Sequence, residues 1–541
     1  MKQLLFILLL ATSFCSSIFA EEIDYRERVY VYTDKDCYLP GEDMWVKFVV
    51  YDNTYQLSGV SKTGYIELVD TIKPYVQLPL ALENGVGSIR IRVPRNIGGG
   101  IYRLNGYTRF MRNEGEEAFF TKDLVIVNPN RAGNNMEALT IRINEPGEPT
   151  LPVLPSLMTV KKRSLASIRL TGIPDDLIDA TISVTRKDIV TKGLHESKPV
   201  VFRNKPLPNL QWTPEYEGHI VTGRSNSEDK SLLSNVSVVG NSFCFFSGKP
   251  HDSQDLIEFF TYSVYGRQDM IISLNSQFQN SMGRSKPEII SPFVDIAPQI
   301  LTPAEIATDE QSFMERYMSV QLNAMPKEKR SYNDPDIYAH NRINSYNMDE
   351  YAQFPTLGES ILEFVHDVKV STIDKKKQIS VYLPEEKVYN NGNTLVLLDG
   401  VPISDHEQVL AYNPRFVQYL KVYKGNYVFG GHLFTAIFSL ITYEQTLPHF
   451  ILDNLSGLLE YTFPLLPETF DMPDYSNAQQ KASQLPDFRT TLYWQPYLTG
   501  GSIPEEVSFY TSDLAGKYCV FIEGITSTGN GYKKELYFSV E

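Results

Sequence analysis

The chain has 541 residues and a formal net charge of −15. That length predicts two to five domains, and the acidic balance argues against nucleic acid or an anionic membrane surface as the main partner. Tyrosine (33) and phenylalanine (29) are abundant, and 32 prolines and 33 glycines are spread evenly, a mix that reads as many short strands joined by tight turns.

Residues 1–20 read as a signal peptide. Lys2 supplies the positive start, Leu4–Ala11 the apolar run, and Ala20 a small residue before Glu21. The run is too short to span a bilayer. Cys15 follows Phe14, where lipidation needs a small residue, so a lipid anchor at Cys15 is not expected. Cys37, Cys244 and Cys519 remain after cleavage. They are too few for a disulfide framework and match no metal-site spacing. One bridge between two of them stays open.

Residues 21–130 read as a β-sandwich. Arg28–Thr33 alternates, and Met44, Val46, Phe48 and Val50 share one face while Trp45 and Lys47 take the other. Between them runs Thr33-Asp34-Lys35-Asp36-Cys37-Tyr38-Leu39-Pro40-Gly41-Glu42. Pro40-Gly41 forces a turn, and Glu42 is placed to accept from exposed backbone at its mouth. Asp34 and Asp36 alternate as calcium ligands do, but the loop lacks the glycine and distal glutamate of an EF-hand and reads as a solvated turn. This segment, with Gly98–Thr108, resembles the second macroglobulin domain (MG2) of alpha-2-macroglobulin-type proteins. The thioester cysteine motif is absent, so the resemblance implies no proteinase trapping.

Residues 131–215 open with a Pro-rich connector, Glu145–Pro155, and continue through Leu165–Leu170 and Ala180–Val184. They are expected to form a second sandwich. In residues 216–290, Gly218–Arg224 followed by Val236–Val239 and Phe243–Phe246 resembles a carboxypeptidase-regulatory-type β-sandwich. Residues 291–355 are expected as a helical or irregular linker, with Phe313, Tyr317 and Val320 at helical spacing in Thr302–Asn323.

In residues 356–445, Thr356 and Glu359 make a capping box for a short helix through Val365. The apolar run from Thr394 ends in Asp399-Gly400, a strong hairpin signal, followed by Val401-Pro402-Ile403. Asn413-Pro414 starts a helical turn. Val417–Tyr423 leads to Lys424-Gly425, and Gly430-Gly431 precedes the strand Ile437–Thr442. This order resembles the plug domain of TonB-dependent outer-membrane receptors, with Ala436 where those plugs usually keep glycine. The stretch after Tyr443 is too short for a receptor barrel. Residues 446–541 are expected as a C-terminal sandwich, because Gly516–Thr526 echoes Gly100–Thr108 in placing Gly and Tyr at a strand's start and Gly-x-Thr at its end.

The whole order resembles a bacterial secreted or outer-membrane-associated family that combines MG2-like, carboxypeptidase-regulatory-like and plug-like domains. The resemblance implies a mainly β chain of tandem immunoglobulin- or macroglobulin-like sandwiches with one small α/β plug-like domain and no β-barrel. It implies export to the periplasm or outer membrane of a Gram-negative bacterium.

Chemistry is sparse. His406-Glu407 begins like a zincin motif, but Leu410 stands where the second histidine is required. No Gly-x-Ser-x-Gly elbow, P-loop or dinucleotide fingerprint occurs. No catalytic residue, cofactor or metal is predicted. Asp399 and Gly400 read as turn residues. Tyr419, Tyr423, Tyr427 and Phe429 are a candidate interaction surface, and the sheet edge formed by Val417–Tyr423 and the Val396–Ile403 hairpin is a candidate for strand addition. The expected function is a non-enzymatic envelope scaffold or accessory protein. It would bind an outer-membrane or periplasmic protein through its plug-like and sandwich domains. The alternative is a secreted hydrolase or peptidase-like enzyme whose site is assembled between domains from residues such as Asp405, His406 and Glu407.

Overall fold

Alternation in the strand Asp43–Asp52 puts Phe48 against the glycines of a facing sheet and Lys47 on the opposite side. The computed structural model describes residues 25–134, 136–144, 158–194, 200–202, 210–224, 234–240, 244–250, 256–274, 288–295, 301–322, 342–429, 432–452, 456–499 and 501–541. Residues 1–20, expected as a signal peptide and including Cys15, the connector Glu145–Pro155 and the Gly430-Gly431 pair lie outside these residues. The chain is mainly β, 51% strand and 11% helix, and its sheets form sandwiches with no closed barrel among the described residues.

In the first sandwich, Glu27–Thr33, Asp43–Asp52 and Val86–Arg92 form one sheet. The other runs in the order Cys37–Tyr38, Phe120–Ile126, Gly100–Tyr107, Thr63–Val69, Pro74–Ala81. Val29, Val31, Phe48, Ile66 and Leu104 fill the space between them.

The second sandwich corrects the expected boundaries. Leu177–Arg186 lies between Gly516–Thr526 and Thr491–Leu498, antiparallel to both, with Ile182 opposite Ile522 on one side and Gln495 on the other. Leu165–Arg169 pairs with Glu506–Tyr510 in the facing sheet. Ile168, Ile182, Val184, Phe509, Val520 and Phe538 share one core. The described strands of 158–186 and of 491–541 therefore build one sandwich together. Period-2 alternation identifies the buried face of a strand but not its neighbour, and neither segment alone holds enough strands to bury a core.

The third sandwich also borrows a strand. Residues 216–290 supply most of its two sheets, and Ser456–Thr462 pairs with Arg267–Leu274 along its full length. Val221, Val236, Phe259, Ile272 and Phe463 form the core.

The described parts of residues 291–355 take up regular structure, not the linker expected. Ala304–Asp309 is a strand, parallel to Leu139–Asn144 and antiparallel to Val190–Lys192. Its buried residues alternate, so period 2 prevails before the helix Glu310–Leu322 begins. Asp309 accepts from Ser312 N at 2.8 Å at that helix start. Arg342–Asn347 is a further strand.

The last unit is α/β. Its main sheet runs Arg342–Asn347, Val417–Phe429, His432–Thr442, Thr394–Leu398, Val401–Pro402. The helices Leu357–Phe364 and His406–Leu410 pack on it through Leu357, Ile361 and Val409. Thr356 Oγ1 accepts from Glu359 N at 3.3 Å, as the capping signal predicts. Asp399 and Gly400 have φ of 46° and 78°, the two positive values that a tight two-residue hairpin requires. The modules are nested: the second sandwich encloses the third in sequence, and the third encloses the α/β unit.

The outer face of the first sandwich meets the second through polar groups. Lys47 Nζ donates to Asp179 Oδ1 at 2.5 Å and to Ala180 O at 3.0 Å. Tyr51 OH donates to Asp179 Oδ2 at 3.3 Å, and Tyr30 OH to Glu523 Oε1 at 2.9 Å. Burial pulls the Lys47 ammonium below its ordinary pKa against the pull of Asp179. Breaking one side of such a pair strands a buried charge. Lys47→Met is expected to cost about 3–5 kcal/mol in urea unfolding, whereas Lys47→Met with Asp179→Leu recovers most of it.

Candidate functional site

The turn Thr33–Glu42 is the first place where polar groups converge. Asp34 Oδ1 accepts from Tyr38 OH at 2.7 Å and Trp45 N at 3.0 Å, and Oδ2 accepts from Thr491 Oγ1 at 2.6 Å. Glu42 accepts from Leu39 N at 3.0 Å, the backbone bond expected of it, and from Lys35 Nζ at 2.7 Å. It also accepts from Thr490 Oγ1 at 2.7 Å and Arg316 Nη2 at 2.8 Å. Arg316 reaches on to Asp188 Oδ1 at 2.8 Å and Cys37 O at 2.9 Å. Burial raises the Glu42 carboxyl, but Arg316 and Lys35 outweigh it and hold it at about 2. The turn is thus a buried junction of the first sandwich, the helix Glu310–Leu322 and the C-terminal strands, not the solvated turn expected.

A second junction joins the first and third sandwiches. Glu215 Oε1 accepts from Tyr65 OH at 2.9 Å and Ile220 N at 2.8 Å, and meets His219 Nδ1 at 2.9 Å. His219 Nε2 lies 2.8 Å from Tyr461 OH. Arg109 donates to Glu258 Oε1 at 2.5 Å and Thr222 Oγ1 at 2.9 Å. Cys37, Cys244 and Cys519 are free thiols, and burial pushes Cys37 and Cys519 up to about 12.

The aromatic residues expected on the surface are mostly core. Tyr423, Tyr427 and Phe429 are buried with Leu397, Phe434 and Ile437, and Phe429 meets Phe245 of the third sandwich edge-on at 4.5 Å between centroids. Tyr419 is half-buried. The strand expected at an open edge is interior. Val417–Phe429 pairs with Arg342–Asn347 on one side and His432–Thr442 on the other. The covering strand comes from the stretch read as linker, whose polar composition hides its period. Alternating aromatics satisfy a β core as well as an interface, and here the core takes them.

Asp399 does more than turn the chain. It is buried, and its carboxylate accepts from Thr442 N at 2.7 Å, Thr442 Oγ1 at 2.7 Å and Leu447 N at 2.9 Å. It ties the hairpin to the end of the long strand. Asp405, His406 and Glu407 fall together at one short helix, each engaged by backbone. Asp405 Oδ1 caps Glu407 N at 3.0 Å, Glu407 Oε1 accepts from Lys377 N at 2.9 Å, and His406 Nδ1 accepts from Ile379 N at 3.0 Å. These bonds assign all three a structural task. No group of three or more His, Cys, Asp or Glu side chains is arranged to hold a metal among the described residues.

Where the α/β unit meets the third sandwich, a cavity of about 70 Å³ opens to the surface. Phe429, Phe434 and Phe450 line one part, Asn235, Ser273 and Ser456 another, and Asp405 and His406 edge it.

No protein-family model matches the chain, and no curated protein matches it. Among solved structures, the native conformation of Escherichia coli alpha-2-macroglobulin superposes with a TM-score of 0.24 at 7% identity, over 96% of this chain and 40% of that one. The trypsin-activated form gives 0.23 at 8% identity, over 95% and 41%. A Salmonella alpha-2-macroglobulin mutant gives 0.17 at 8%, over 94% and 23%. The chain spans less than half the length of these structures.

The environment of His406 sets a pH dependence. Burial lowers its pKa from 6.5 to about 4, opposed by Asp405. Between these values the unfolded chain binds the proton and the folded chain does not, so stability falls as pH drops from 6.5 toward 4. The expected loss is up to about 3 kcal/mol. In His406→Asn, urea unfolding measured across this window is expected to show a flatter slope.

Proposed function

We propose that this chain is a non-enzymatic scaffold of the bacterial cell envelope that holds its α/β unit in a fixed pose for a partner protein of the periplasm or outer membrane. The observation that carries this reading is the set of buried ties between modules: Lys47–Asp179, Glu42–Arg316–Asp188 and Tyr65–Glu215 between the sandwiches, and Gly240 N on Asp399 O with Phe245 edge-on to Phe429 where the third sandwich seats the α/β unit. Buried charges cost desolvation and reward only one geometry. An interface built from them suits a body whose job depends on orientation. The Asp405–Glu407 helix, engaged by backbone throughout, lends the hydrolase alternative no support.

The surface offered to the partner is the tip of the long hairpin. Val428 and Leu433 are cross-strand partners there, 75% and 53% exposed, while their neighbours Phe429 and Phe434 are anchored inside. Exposed apolar pairs on a rigid support are suited to protein contact. Val428→Asp with Leu433→Asp is expected to abolish cross-linking to the partner in solubilised envelope and to leave the thermal midpoint within about 2 °C, since surface substitutions change stability little. Unchanged cross-linking would move the contact to another surface. Recovery of the wild type only as a free monomer would defeat the scaffold reading.

A further inference from the structure

The cavity between the α/β unit and the third sandwich has a wall that packing alone does not explain. Three adjacent strands run side by side there: Ser234–Val238, Arg267–Leu274 and Ser456–Thr462. Asn235 sits opposite Ser273, and Ser273 opposite Ser456. The register therefore draws a row of three small polar side chains across the sheet, stepping about 4.8 Å per strand. All three line the cavity. In the next row on the same face, Ser237–Ile271–Leu458, the middle residue Ile271 packs into the apolar core of the α/β unit, whereas Ser273 at the same strand position of the first row does not. Asn235 is 4% exposed, and its Oδ1 has no hydrogen-bond partner. Leaving a buried acceptor unmade costs more than an apolar residue of similar shape would.

The remaining walls narrow what could satisfy that row. Phe429, Phe434 and Phe450 supply apolar ring surface. His406 Nδ1 already accepts from Ile379 N, so the proton of the neutral ring lies on Nε2 and the ring can only donate there. Asp405 stands exposed at the mouth, and no lysine or arginine is among the lining residues described. A carboxylate at the entrance, unmatched by a cation, disfavours an anion. Serine hydroxyls both donate and accept, whereas Asn235 Oδ1 only accepts. The complementary ligand is uncharged, carries several hydroxyls at short regular spacing, and has an apolar face of C–H groups to lie on the phenylalanines.

We infer that this cavity is a binding site for a neutral sugar, one edge of whose ring enters and hydrogen-bonds the Asn235–Ser273–Ser456 row. The cavity adjoins the hairpin tip through Phe429 and Phe434, but Asn235 and Ser273 lie on the third sandwich, so substitutions there report on sugar binding and Val428→Asp with Leu433→Asp on partner binding, each read by its own assay. The test is saturation-transfer NMR on the full purified chain, with neutral hexoses and N-acetylhexosamines as probes and a uronic acid as the anionic comparison. At least one neutral sugar is expected to give saturable transfer, with the uronic acid weaker. Asn235→Leu is expected to weaken binding at least tenfold. Ser273→Ala, a smaller change, is expected to weaken it several-fold and covers the case in which Asn235→Leu fails to fold. Absence of transfer from every neutral sugar overturns the proposal and leaves a water-filled gap. Equal or tighter binding of the uronic acid also overturns it, as does binding unchanged in whichever variant folds.

Discussion

The structure depends on one pairing constraint. Leu177–Arg186 is an interior strand of the second sandwich, and both of its neighbours lie more than three hundred residues further along the chain. Everything between must leave that sheet and return to it. The third sandwich obeys the same rule one level down, since Ser456–Thr462 closes it only after the α/β unit has been made. Closing long loops carries an entropic cost that rises only slowly with their length. The nested order is therefore tolerable, provided that each returning strand buries enough apolar surface on arrival. Ile522 and Val520 in one case, and Tyr461 with Phe463 in the other, supply that burial.

Between modules the chemistry changes. Inside each sandwich the contacts are aliphatic and aromatic, and such cores depend on volume and packing more than on directional bonds. At the module boundaries apolar contacts such as Trp494 and Ile525 on the first sandwich and Phe245 on Phe429 are joined by polar ones: Lys47 on Asp179, Tyr30 on Glu523, Trp494 on Ser88 and Arg316 on two carboxylates. A shift of about an ångström at any of these would leave a buried polar group unmade. Aliphatic cores thus give the modules stability, and the polar seams give them one mutual arrangement.

The sequence was legible in its faces and its local punctuation. The inward side of Asp43–Asp52, the Asp399-Gly400 hairpin and the Thr356 cap all follow from spacing and residue type over a few positions. Partnership was not legible, because Ile182 and Ile522 carry no mark that they belong together. The aromatic strand shows the same limit. Tyr423, Tyr427 and Phe429 present a pattern that fits an interface, and only the distant Phe245 and the strand Arg342–Asn347 turn it inward. His406 and Asp405 stand where an enzyme reading would place them, yet the amides of Ile379 and Glu407 occupy them. The cavity wall was invisible for the same reason: Asn235, Ser273 and Ser456 become a row only through register.

The nested order also governs the chain in time. During synthesis or any vectorial passage, Leu177–Arg186 emerges some three hundred residues before its partners Thr491–Leu498 and Gly516–Thr526. Until then both of its edges are open, and so is the apolar side of Leu165–Arg169. Open edges of this kind recruit neighbouring chains. The chain would be vulnerable to aggregation until those strands arrive to close the sheet. A cell making this protein in quantity has reason to keep it extended and guarded until Thr491–Thr526 has followed.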